Sequence, residues 1–453
     1  MSIIENTLAL LLVLSVLVVV HEFGHFAVAK AFDFPVEVFS VGFGKRLFGK
    51  TWRGTDYRVS AIPLGGYVKV VGLGPDESSL AEGTSSEAPL PVGKRWQRAL
   101  ILLAGPGMNL VLALVLHTTV YAVGVRVPEY ELQPPVVRVV EPGSPGAAAG
   151  FQAGDRIVAI DGTATPRWRD AQFLFGMNAR QKLDVELDRG GRHLFFKVVP
   201  RAANKYDIGE VGLYPALPRE PRLVTVVTGD PADRAGLKKG DVIVSIAGRP
   251  ILGAPEDILN KFVQAIGQAA PGPFEIAYLR DGKPRVTQIK PRHDPDGSWK
   301  VGVSVAADLK EVTERFPPGQ AVVEGWRRVK TDFRMTLSIL GRLFVGRASL
   351  KTMSGPLDIA KFSGEAARTG AVPLVALMAA ISLQLAIFNI LPIPVLDGGH
   401  LFLLTIEGAA RRDFSLAVKE RILQVGFLMI LALMSVIIYN DLAKNMPAKW
   451  WPF

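Results

Sequence analysis

Four stretches of this chain are long and apolar enough to cross a lipid bilayer, and they dictate most of what it can become. About 20 apolar residues span the hydrocarbon core. The stretches Asn6–Ala29, Ala99–Val125, Val372–Leu396 and Ile422–Tyr439 approach or exceed that length. The first has no basic n-region and no small-residue cleavage site, so it reads as a retained span rather than a signal peptide. Basic residues set the orientation. Residues 1–20 carry no Lys or Arg, whereas the loop after the first span holds Lys30, Lys45, Arg46, Lys50, Arg53, Arg58, Lys69, Lys94, Arg95 and Arg98. Arg411, Arg412, Lys419 and Arg421 lie between the last two spans. Positive-inside bias then puts both loops in the cytoplasm and both termini outside. These loops explain much of the net charge of +10, so no nucleic-acid partner is called for.

A polar segment, residues 126–320, is thereby expected on the outside, and it contains a duplication. Gly143–Gly162 aligns without a gap on Gly229–Gly248, and ten of the 20 positions are identical. Each copy reads as a short helix ending at Gly, a Gly-Asp turn, then a strand of alternating apolar residues. Val211–Leu213 and Val301–Val303 read as a second repeated strand. The pattern Ala-Gly-x-x-x-Gly-Asp-x-Ile-x-x-Ile resembles PDZ domains, which implies peptide or protein ligands bound as an added strand. The alternative is a pair of scaffolding domains without a ligand. Residues 36–71 hold two β-rich runs, Val36–Val41 and Tyr57–Val71. The Ser-, Glu- and Pro-rich residues 74–93 read as a mobile loop, and 333–345 as an interfacial helix.

His21-Glu22-Phe23-Gly24-His25 is a His-Glu-x-x-His motif within the first span. On a helix, positions i and i+4 share a face, so both imidazoles can reach one zinc while Glu22 lies beside it as general base. With Lys30 near the cytoplasmic surface, the pair lies roughly 7–14 Å inside it at 1.5 Å per residue. Ionisable groups at that depth are functional candidates by default; the alternative is a polar pair joining helices. The chain has no cysteine, so a third ligand must be His, Asp or Glu. The local continuation seen in some soluble zinc proteases fails, because positions 28 and 31 are Val and Ala. Asp397, in Asn389-Ile-Leu-Pro-Ile-Pro-Val-Leu-Asp397-Gly-Gly, emerges on the same side as His25 if the loop-charge topology holds. Pro392 and Pro394 should break the helix before it, which is tolerated in a membrane only beside protein or a wet cavity.

Together these motifs resemble the site-2 protease family of intramembrane zinc metalloproteases, in its bacterial sigma-factor-regulating form. Gly105-Pro-Gly-Met-Asn109 and Ser354-Gly-Pro also match family elements. The resemblance implies zinc held by His21, His25 and Asp397, with Glu22 as general base. It implies substrate contacts from Asn389, support from Asn109, and a membrane-associated β-hairpin that pairs with unwound substrate near Gly65 and Gly66. The expected fold is a polytopic α-helical membrane protein with four transmembrane helices, that hairpin and two extracytoplasmic PDZ (α+β) domains. Its expected parts are 1–125, two domains at 126–220 and 221–310, a linker at 311–370, and 371–453. The implied activity is cleavage within the transmembrane segments of single-pass membrane proteins, such as anti-sigma factors or signal-peptide remnants, after a first cut elsewhere. The implied location is the bacterial inner membrane, with the active site near the cytoplasmic side. The rival is a non-catalytic membrane scaffold recruiting proteins through its PDZ domains. His117 and Gln384 fall in no motif and are read as packing.

Overall fold

The computed structural model describes residues 3–73, 93–203, 208–215, 221–251, 258–294, 298–306, 311–344 and 355–445. The expected loop at 74–93 falls outside them except for Gly93, and Ser354 does too. The chain divides into a helical unit, residues 1–125 with 314–445, and a unit holding both repeat copies, 126–313.

In the helical unit, four helices can cross a membrane by length and composition: Ile4–Ala31, Arg95–Val123, Ala371–Ile390 and Ala417–Leu442. Leu8, Leu12, Val111, Leu428 and Leu431 are exposed, as expected of surfaces meant for lipid. The first two helices cross in direct contact, because a Cβ on Gly24 would sit 2.3 Å from the Ala104 carbonyl oxygen. The third spanning helix stops at Ile390 rather than at the expected Leu396. Leu391 precedes Pro392 and adopts an extended conformation with ψ 144°, since proline disfavours a helical residue before it. A new helix, Asp397–Ala410, then begins at the aspartate.

The β-rich runs are longer than expected: Val36–Trp52 pairs antiparallel with Thr55–Val70. Val41 faces both Val59 and Gly66, so the second strand flanks the first on both sides. The far part carries exposed apolar side chains at Leu47, Phe48 and Trp52. The segment expected as an interfacial helix, 333–345, is over its described residues 333–344 the end of a longer helix, Pro318–Phe344. That helix packs on the second spanning helix, with Gly325 against Thr118 and Asp332 Oδ2 3.7 Å from His117 Nε2.

The two repeat copies have the same local design. Ser144 caps the helix Pro145–Ala149, its Oγ accepting from the Ala147 N–H, and Gly150 ends it in the left-handed conformation. The strand Arg156–Ile160 then joins a four-stranded sheet, pairing Ile160 with Val185 and Ile157 with Leu187. In the second copy, Val242–Ile246 joins a six-stranded sheet and pairs Ile246 with Ile276. Each copy has its own core, around Ile157, Ile160, Leu187 and Phe175 in the first and Ile243, Ile246, Ile276 and Phe262 in the second. The expected second repeated strands lie close to their predicted places, at Leu213–Tyr214 and Val303–Ala306.

Candidate metal centre

His21 and His25 share one face of the first helix, and both are 7% exposed. Their Nε2 atoms are 3.2 Å apart. The helix beginning at Asp397 brings Oδ2 to 3.1 Å from His21 Nε2 and Oδ1 to 3.4 Å from His25 Nε2. All three donors lie within 4.8 Å of one another, the one such His/Cys/Asp/Glu cluster among the described residues. Ligands bound about 2.0–2.1 Å from a tetrahedral zinc lie roughly 3.3 Å from each other, so this donor set fits the metal.

The outer contacts turn the lone pairs the right way. His25 Nδ1 lies 2.7 Å from the Ile101 carbonyl, which can only accept, so Nδ1 carries the proton and Nε2 is left to bind metal. His21 Nδ1 lies 3.1 Å from the side-chain amide nitrogen of Asn109, whose buried Oδ1 has no partner. A half-turn of the amide places Oδ1 on an Nδ1–H, which satisfies both groups and frees His21 Nε2 for the metal. Asn109 is itself held, since its carbonyl accepts from Ser382 Oγ at 2.8 Å.

Two backbone features make the convergence possible. A Cβ on Gly105 would come 2.3 Å from His25 Nε2 and 2.7 Å from His21 Nε2, so the second helix leaves this space open only as glycine. At the other side, Cβ atoms on Gly398 and Gly399 would strike the Ile390 and Ile393 carbonyls at 2.2 and 2.1 Å. Asp-Gly-Gly therefore lets the chain fold back on the broken helix end. Val395, two residues before the aspartate, has φ 90°, a strained conformation for a β-branched residue.

Glu22 is half-buried beside the cluster, and its Oε2 accepts the Val68 N–H at 3.0 Å. The strand Thr55–Val70 thus touches the expected general base, a contact sequence reading missed because a backbone N–H has no signature. Asn389 Nδ2 is 3.4 Å from His21 Nε2. Gly65 and Gly66 lie in the same strand as Val68. A Cβ on Gly65 would crowd Val18 and Phe43 at 3.3 and 3.2 Å, and one on Gly66 would strike the Ser40 carbonyl. Gln384 is exposed and has no part in the cluster.

The profile of peptidase family M50 matches residues 9–433. The regulator of sigma-E protease RseP of Escherichia coli K12 is 33% identical, over 98% of this chain and all of that one. A protein of Ralstonia nicotianae named as a zinc metalloprotease is also 33% identical, over 97% of this chain and 98% of its own. One of Pasteurella multocida, similarly named, is 30% identical over 98% of this chain and all of that one. A crystallised PDZ domain from Listeria monocytogenes is 21% identical over 19% of this chain and 87% of its own, with a TM-score of 0.17.

Proposed function

Because the chain belongs to peptidase family M50 and is a zinc metalloprotease of membranes, we propose that it cuts peptide bonds within the transmembrane segments of single-pass membrane proteins. The observation that carries this reading is the cluster's position: His21 and His25 lie inside a helix apolar enough to span a bilayer. A substrate reaching them comes through lipid. Membership of a protease family sets aside the scaffold alternative.

His21, His25 and Asp397 would hold the zinc. When bound there, zinc supplies a Lewis acid that acidifies its water and polarises a carbonyl oxygen. Glu22 takes the proton from the attacking water and returns it to the leaving amine. The Val68 N–H fixes the carboxylate for both transfers. A transmembrane helix hides its carbonyls in its own hydrogen bonds, so the substrate must unwind locally. The Asn389 amide and the backbone around Gly65 and Gly66 are the replacement partners, the strand pair taking substrate as an added strand. The substrates are of the anti-sigma-factor or signal-peptide-remnant type, trimmed by a first protease. The repeat copies are PDZ domains that bar untrimmed proteins and bind protein ligands. The enzyme sits in the bacterial inner membrane with these copies and both termini outside, and its active site near the cytoplasmic face.

The test incubates purified wild type and Glu22→Gln with a single-pass substrate lacking its outer domain, and maps the products by mass spectrometry. Wild type should cut within the apolar segment. Glu22→Gln should lose at least about 10³-fold, within the range for removing a general base, yet retain one equivalent of zinc. Cutting at the normal rate by Glu22→Gln would falsify the mechanism. Cleavage only in polar flanks would sink the intramembrane assignment.

A further inference from the structure

Arg98 lies in the first turn of the second spanning helix and is 8% exposed. Its side chain has no hydrogen bond or ion pair among the described residues, and its Nε is buried without a partner. The nearby carboxylate of Asp413 is bonded to Arg95 instead, at 2.6 Å. A buried guanidinium left in this condition is costly, because burial removes water and nothing replaces it.

Arg98 lines a partly open cavity of about 40 Å³, with His400, Glu407 and Lys419 and the side chains of Leu102 and Leu423. That exceeds the roughly 15 Å³ a single water requires, and leaves room for one small charged group. Glu407 does not neutralise Arg98: it accepts from Lys419 Nζ at 2.8 Å and from the Phe414 N–H at 2.8 Å. The cavity therefore keeps one positive charge, carried by a fork of donors suited to a phosphate or carboxylate.

We propose that this cavity binds the phosphate of an anionic phospholipid. Charge complementarity and position favour a lipid over a peptide carboxylate. Arg98 and Lys419 both sit at the starts of spanning helices, beside the exposed Trp96, where lipid phosphates lie. Leu102 and Leu423 form apolar walls of the cavity. The bound phosphate ties the second spanning helix, which carries Asn109 and Gly105, to the last one, Leu416–Asn445, through Arg98 and Lys419.

The experiment follows thermal unfolding of the full chain in phosphatidylcholine nanodiscs, with and without about one-fifth phosphatidylglycerol, for wild type and Arg98→Gln. Phosphatidylglycerol should raise the wild-type midpoint by several degrees, as a ligand of the native state does, and leave Arg98→Gln unmoved. In pure phosphatidylcholine, Arg98→Gln should melt no lower than wild type, since it removes an unpaired buried charge. An equal rise in both proteins, or none in wild type, overturns the proposal. Inorganic phosphate reproducing the full rise in neutral discs would make the occupant a free anion and overturn the lipid. If Arg98→Gln fails to fold, Leu102→Phe replaces it, and filling the cavity should abolish the phosphatidylglycerol response.

Discussion

The repeat copies and the metal cluster each hold carboxylates out of full contact with water, and each answers them differently. In the repeat copies, Asp155 and Asp241 are essentially inaccessible, and each meets an arginine through two hydrogen bonds. Arg189 donates to Asp155 at 2.6 and 2.8 Å and to the Gly150 carbonyl at 2.9 Å. Arg280 repeats this with Asp241 and Gly236, all at 2.7 Å. Each arginine thereby ties a carboxylate to the helix-ending glycine of its copy, and the charge is balanced. In the helical unit, Asp397 meets two imidazoles whose other nitrogens are already engaged. Arginine completes the first kind of site, whereas the proposed zinc would complete the second. A carboxylate held away from water therefore signals architecture or chemistry according to what faces it.

The largest effect should come from closing the space beside the imidazoles. Gly105→Ala puts a methyl group where a Cβ lies 2.3 Å from His25 Nε2. We expect metal affinity to fall by about 10–100-fold or more, the scale for disturbing a ligand's surroundings. Cleavage should fall with it, while helix content stays the same by circular dichroism. Metal content after dialysis, read by plasma mass spectrometry, decides the matter. Full zinc retention would mean that the donors need no such space and that the contrast with the arginine sites is wrong.

Next in size is Arg280→Leu, which strands Asp241 in the second core. Removing one partner of a buried pair costs about 3–5 kcal/mol, and the lower end applies because the Arg280 side chain is 19% exposed. Hydrogen exchange should rise across Val242–Ile246 and Phe274–Arg280 while zinc content stays unchanged. Asp397→Ala should do the reverse, losing zinc without loosening that sheet. If either substitution produced the other's signature, the two kinds of carboxylate would not be distinct.

This contrast was only half legible in the sequence. His21, Glu22 and His25 sit at a spacing that a helix converts directly into geometry, and Pro392 and Pro394 announced a break before Asp397, although the helix stops at Ile390, short of the expected Leu396. Asp155 and Asp241 were visible as repeated positions 86 residues apart (241 − 155), but Arg189 and Arg280 are 91 apart (280 − 189). Five residues of slippage hid those partners from a gapless alignment. Gly105 was readable as part of a motif, but not as the empty space in front of two imidazoles. The Val68 N–H and the unpaired Arg98 depend on how separate elements pack, which no local spacing encodes.

The smallest expected effect tests whether a third carboxylate cluster belongs with the architectural kind. In the repeat unit, Lys261 from the second copy donates to Glu210 at 3.1 Å and to Tyr214 Oη at 2.7 Å, both in the first copy. Arg201 bonds Glu210 and Glu141 from the other side. Burial alone would push the Glu210 carboxyl up, but Lys261 and Arg201 outweigh it and hold it below its ordinary value. A depressed folded pKa contributes stability above the unfolded value, about 4.3 for Glu, and that contribution is lost as pH falls through the folded value. Protection of Ile258–Ala269, corrected for intrinsic exchange rate, should therefore drop on acidification from pH 6 towards about 3. Lys261→Met should start lower and show a shallower drop. If the variant kept the wild-type pH profile, Lys261 would not be what holds the Glu210 carboxyl below its ordinary value.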